Sequence, residues 1–176
     1  TSLTQANNIP HESAHDALSD VLATIAVAKL VMTKQPKLYD YVYRYRFKTK
    51  VQSLVDVCHR KPFLHVAGKL PKENCYAALV LPLTAHPTNK NSTICFNLMD
   101  DPKPLIELSA QEIHKRLYSR KSDLPDGQKN LSVLEVFANK CPIVATPKLV
   151  DSIVAERLGI ELEKCEDNLQ YLLKHD

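Results

Sequence analysis

An α+β fold is predicted for this chain of 176 residues, with helices at both ends and a small β-barrel or sandwich between them. Two observations predict it. Apolar residues recur at the helical period at Leu18, Val21, Leu22, Ile25, Ala26 and Leu30, and again at Leu162, Cys165, Leu169 and Leu172. Between these stretches the period changes, and short β-type runs alternate with polar turns.

Thr1 to Pro10 reads as loop. The first helix is expected to open near Ser13, because Ser13 with Asp16 approximates a capping box and an aspartate suits the first turn of a helix. Pro36 should end it. Over residues 37–57 alternating aromatics suggest a strand, yet Leu38, Tyr41, Val42, Tyr45, Val51, Leu54 and Val55 keep helical spacing, which favours two helical segments or one bent helix.

From Lys61 onward, β-type runs are expected at Pro62–Ala67, Cys75–Leu83, Ser92–Leu98, Leu105–Leu108, Ser132–Phe137 and Pro142–Thr146. Turn residues separate them, among them Pro71 to Asn74, Pro87 to Asn91 and Asp100-Asp101-Pro102. One helix interrupts the series, announced by the capping box Ser109 to Glu112. Asp151 should cap a helix running through Leu158 and stopped by Gly159, and a final amphipathic helix follows.

Composition narrows the class. The apolar share of 44% is that of a globular protein, and eleven prolines against three glycines suit short, punctuated elements. Net charge is only +3, too small to argue a nucleic-acid partner by itself. Its distribution is more telling: residues 1–150 carry 20 Lys/Arg against 13 Asp/Glu, residues 151–176 only 3 against 7. A basic body with an acidic end fits a polyanion-binding surface. The five cysteines are odd in number, widely spaced and without Cys-x-x-Cys, which argues against a disulfide framework and a zinc site. Apolar neighbours suggest buried reduced thiols and a cytoplasmic protein. The longest apolar stretch, Val21 to Met32, contains Lys29 and is too short to span a bilayer. No basic segment followed by an apolar run marks the N-terminus as a signal peptide.

The segment His15-Asp16-Ala17-Leu18-Ser19-Asp20 places an imidazole and a carboxylate five residues apart at the start of an amphipathic helix. It resembles the last catalytic motif of the DEDDh 3′→5′ exonucleases. The text from His15 to Pro36, then Leu38-Tyr39-Asp40-Tyr41, is similar to bacterial exodeoxyribonuclease I, a single-strand-specific family. Further similarity lies at Lys61-Pro62, His65-Val66, Pro82-Leu83, His86-Pro87, Arg116-Leu117-Tyr118, Asn139 to Pro142, Arg157 to Ile160 and Asp167-Asn168-Leu169. These matches cover essentially the whole chain in the family's order.

The resemblance implies that residues 1–35 are the C-terminal end of an RNase H-like DEDDh nuclease domain. Residues 36–176 would be an SH3-like β-barrel with inserted helices, and the family's C-terminal helical domain would be absent. It implies that Asp20 is a ligand of a two-metal Mg²⁺ site and His15 the general base that takes the proton of the attacking water. The family's other metal carboxylates lie upstream of the histidine motif, and only fourteen residues precede His15 here. The chain is therefore expected to be an inactive fragment of an exonuclease that releases mononucleotides in DNA repair and recombination.

For single-stranded DNA the basic cluster Arg44, Arg46, Lys48 and Lys50 is the candidate contact, interleaved with Tyr41, Tyr43, Tyr45 and Phe47. Half of these rings could equally form core. The family's SH3-like domain also docks the acidic, apolar C-terminal tail of single-stranded DNA-binding protein, and Tyr41, Lys61 and Arg116 are the residues carried over for that role. Little basic character remains in the last helix, which weakens the expected tail docking. No membrane contact is expected, and a monomer is. The alternative reading is a non-catalytic single-strand-binding or adaptor module whose His-x4-Asp is incidental.

Overall fold

A computed structural model describes residues 2–10, 16–120, 123–125, 127–128 and 130–175. Two compact units divide the chain, Thr1–Arg44 and Tyr45–Asp176.

The first unit is helical. α1 (Ser2–Ala6) replaces the expected loop. A single turn this short leaves no periodicity to read. It is closed locally instead: Asn7 donates its side-chain amide to Leu3 O (2.9 Å) and Asn8 adopts a left-handed φ of 53°. α2 (Ala17–Lys34) starts later than expected. Asp16 is its N-cap, in extended backbone, accepting the Ser19 N–H at 2.9 Å, and so stands outside the helix and not in its first turn. Ser13 lies outside the described residues. Gln35 ends α2, and Pro36 becomes the first residue of α3 (Pro36–Arg44), a position where its missing N–H costs nothing.

The second unit opens with α4 (Lys48–Leu54), so residues 37–57 form two helical segments as the spacing implied. A five-stranded antiparallel sheet follows: β1 (Phe63–Val66), β2 (Ala77–Ala85), β3 (Ser92–Asn97), β4 (Val133–Phe137) and β5 (Ile143–Ala145), in the order β4-β3-β2-β1-β5. The register pairs Phe63 with Val80 and Leu64 with both Leu79 and Ala145. A bulge falls between Pro82 and Thr84. Such an irregularity lets a proline sit within a paired strand.

Both faces of the sheet are covered. One carries Phe63, Ala78, Val80, Cys95 and Val144 against Val51 of α4 and Val55, its C-cap. The other carries Leu79, Leu81, Phe96 and Leu98 against Ala155 of α7 (Ser152–Leu158) and Cys165, Leu169 and Leu172 of α8 (Leu162–Lys174). Double coverage explains why Ala77 to Pro82 is buried without alternation.

The run Leu105–Leu108, expected as a strand, instead forms the end of α5 (Lys103–Glu107), with Leu108 as its C-cap. Pro102 and Pro104 preset helical φ at its opening, and Asp101 accepts the Lys103 N–H at 3.1 Å. α6 (Ala110–Tyr118) has the expected capping box, with Ser109 and Glu112 bonded reciprocally. α7 is capped by Asp151 and stopped by Gly159, whose φ of 63° requires the left-handed region. No helix among the described residues is long and apolar enough to cross a membrane.

The cysteines depart from expectation. All five are free, but only Cys95 and Cys165 are buried. Burial pushes their thiols up to about 12 and about 11. Cys58, Cys75 and Cys141 are exposed, the last two at left-handed turn positions. The apolar neighbours of Cys75 and Cys141 belong to the strands that begin just beyond them, and those of Cys58 to the end of α4.

Candidate nucleic-acid interface

α4 opens without a side-chain cap: Phe47 holds the N-cap position in extended backbone, and Val51, fully buried, anchors the helix to the sheet. Its first turn carries Lys48 and Lys50, both exposed. Cations at a helix N-terminus oppose the helix dipole and cost a few tenths of a kcal/mol or more. Folding therefore does not explain them.

The turn between β4 and β5 reaches the same place. Cys141, at φ 46°, donates its thiol to Arg46 O at 3.7 Å. Beside it Lys140 Nζ lies 4.2 Å from the Phe137 ring centre, and the Arg46 guanidinium carbon lies 4.0 Å from that of Phe47. Phe47 remains 53% exposed. The result is a surface of four cations, Arg46, Lys48, Lys50 and Lys140, beside two rings. Cations for phosphates and rings for bases is the pairing that single-stranded nucleic acid requires. Sequence reasoning missed Lys140 and Phe137 as members. No spacing rule joins them to Arg46.

Arg44 belongs to the other unit, where it pairs with Asp40 at 2.7 Å on the exposed side of α3. Tyr39 and Tyr43 stack there with centroids 6.1 Å apart, and Tyr41 is half-buried. Tyr45 packs against the core of the second unit, so of the interleaved rings it serves folding.

Lys61 is exposed in the loop before β1. It faces Asp56, whose carboxyl is held below its usual range chiefly by the His59 N–H, with the His59 ring at 2.6 Å and the Lys61 charge adding to it. The next residue, Pro62, lines an apolar groove of about 440 Å³ with Leu79, Leu98, Leu162, Cys165 and Leu169. Arg116 is half-buried in the last turn of α6, where the Asn130 side-chain amide binds its carbonyl at 3.1 Å.

Asp20 occupies the first turn of α2 and is exposed. His15 lies outside the described residues. Among the described residues no three His, Cys, Asp or Glu side chains converge on a cation position. They do not by themselves make a two-metal site.

A curled antiparallel sheet, clad in helices and bearing a basic, aromatic surface, defines an SH3-like domain. The model of the Exonuclease I SH3-like domain matches residues 46–176, and the chain belongs to the exonuclease I family. Exodeoxyribonuclease I of Escherichia coli is 44% identical over 170 residues, 97% of this chain and 36% of that protein. The Haemophilus influenzae protein of the same name is 43% identical over 171 residues, with the same coverage of 97% and 36%. The chain thus spans little more than a third of these relatives. Among solved structures, E. coli exonuclease I in complex with a dA16 oligonucleotide superposes with a TM-score of 0.93 at 43% identity, covering 98% of this chain and 37% of that one. The zinc-ion-bound form of an E. coli ExoI–ssDNA complex gives a TM-score of 0.93 at 44% identity, with coverage of 98% and 37%.

Proposed function

We propose that this chain is a segment of a single-strand-specific 3′→5′ exodeoxyribonuclease acting in DNA repair and recombination, and that its second unit supplies a binding surface for single-stranded DNA. One observation carries the reading: 44% identity to E. coli exodeoxyribonuclease I extends over 97% of the chain. The basic surface around Arg46 supports it from the side of chemistry.

Residues 1–35 are read as the end of the nuclease domain and 36–176 as the SH3-like domain. A feature of α2 supports the first part. Leu18, Val21, Leu22, Ile25 and Met32 are each about half exposed or more, and at 100° per residue they fall within an arc of about 100°. An apolar stripe of this width is built to be covered. In the whole enzyme Asp20 would hold one ion of a Mg²⁺ pair and His15 would accept the water proton. The metal supplies charge stabilisation to the phosphoryl centre. The five free thiols suit a monomer in a reducing cytoplasm.

Tyr41, Lys61 and Arg116 are proposed to meet the C-terminal tail of single-stranded DNA-binding protein. Lys61 beside the apolar groove at Pro62 offers the combination of cation and pocket that such a tail demands. Glu163 and Glu166 on the same groove oppose an acidic ligand, so docking here should be weak.

Fluorescence anisotropy of labelled oligo-dT against salt tests the DNA reading. Each lost phosphate contact lowers the slope of log K against log salt by about 0.7 on single strands. A variant carrying Lys48→Glu, Lys50→Glu and Lys140→Glu should therefore bind more weakly and with a slope flatter by about 2. Equal affinity and slope in variant and parent would refute the surface.

A further inference from the structure

The C-terminal end of α6 carries a second aromatic feature, separate from the Arg46 surface. Tyr118 is 76% exposed, more than any other large apolar side chain among the described residues. Its ring meets that of His114 with centroids 4.8 Å apart at 46°. The two are i and i+4 on one helix face, with Lys115 about 100° around from His114, while Ile113 and Leu117 turn inward. Lys115 and Arg116 occupy the last turn and Arg120 follows it.

Charge is sorted along this helix. The acidic member, Glu112, is spent at the N-terminal end, where bonds from the Ser109 hydroxyl and N–H hold its carboxyl below the usual range. The C-terminal end is left basic. Cations there suit the helix dipole, which accounts for one or two of them and for none of the exposed ring. The end is also tied to the chain that follows: Asn130 donates its side-chain amide to Arg116 O at 3.1 Å and to Ser119 O at 2.9 Å. A backbone held in this way has less freedom to lose on binding.

We propose that Tyr118, backed by His114 and flanked by the exposed Lys115 and Arg120, is a base-stacking platform for single-stranded DNA. The inference rests on the DNA-binding reading above. A flat π-face with neighbouring cations matches an unstacked base and its phosphates. An acidic peptide would use the cations but has no need of the open ring.

The test compares labelled oligo-dT with an abasic oligonucleotide of equal length, which keeps the phosphates and lacks the bases. Tyr118→Ala should weaken oligo-dT binding by about tenfold and leave abasic binding unchanged, while Tyr118→Phe restores oligo-dT binding. Thermal melts of both variants should match the parent, since the side chain is exposed. Unchanged oligo-dT affinity in Tyr118→Ala overturns the platform. So does equal weakening on both probes, or a loss confined to an acidic, apolar peptide. Failure of the parent chain to bind oligo-dT at all would instead overturn the DNA-binding reading itself.

Discussion

Asn168 of α8 donates its side-chain amide to the carbonyl of Leu98 at 2.8 Å, just past β3, and also to that of Asp100 at 2.9 Å. One side chain thus ties the last helix to the central part of the sheet, beside the apolar cluster that Leu98 shares with Leu169 and Leu172.

Asn168→Ala should lower stability by about 2 kcal/mol, since two hydrogen bonds of about 1 kcal/mol each are lost and two carbonyls at a part-buried site are stranded. Urea unfolding followed by circular dichroism measures this. An unchanged midpoint would mean that water replaces the amide without cost and that apolar packing alone holds α8.

His65 predicts a pH dependence. It is buried on β1, its Nδ1 2.9 Å from Ile143 O. Burial pushes the imidazole below its ordinary value, and the carbonyl only partly offsets this. Below about pH 6.5 the unfolded chain takes up a proton that the folded chain refuses, so this share of stability is present above that pH and declines on acidification. His65→Gln should flatten the decline between about pH 6.5 and 5, because Gln can still donate to Ile143 O but does not titrate. A decline of the same steepness in the variant would place its origin elsewhere.

In the proposed full-length exonuclease, Asp20→Ala should cut turnover by at least about a hundredfold while single-strand binding stays within a few-fold. Loss of a metal ligand removes stabilisation of transition-state charge, whereas phosphate contacts elsewhere persist. The present chain alone should release no mononucleotides from a 3′-labelled strand with Mg²⁺ present. Near-normal turnover in the mutant would remove Asp20 from the metal site.

Lys61→Glu should weaken binding of a peptide ending in acidic and apolar residues by about tenfold at low salt. An exposed ion pair contributes only about 0–1 kcal/mol, but reversal adds repulsion, here joined by Asp56. The difference should shrink toward 1 M salt, where the Debye length falls to about 3 Å. Equal binding at low salt would assign the tail to another surface.

Much of the helical architecture was legible because its signals are local. The Ser109 to Glu112 box, the Asp151 cap and the Gly159 stop each act within one turn, so a few residues suffice to specify them. Where the signal was apolar content without period, legibility failed. Leu105 to Leu108 fits a short strand or a short helix equally well, and the prolines at 102 and 104 decide for the helix. Cys75 and Cys141 failed for a related reason: apolar neighbours show that a strand is near, not that the thiol lies within it.

The basic stretch from Arg44 to Lys50 was visible as composition, and the kinship of the chain was visible in its motifs. Its division was not: Arg44 falls in one compact unit and Arg46 in the next. Nor could spacing show that Cys141 meets Arg46 and brings Lys140 and Phe137 to the same surface. Those residues stand 95 positions apart. Local propensities act over a few residues, whereas burying Val51 and Val144 in one core is what draws α4 and β5 together and assembles the surface above them.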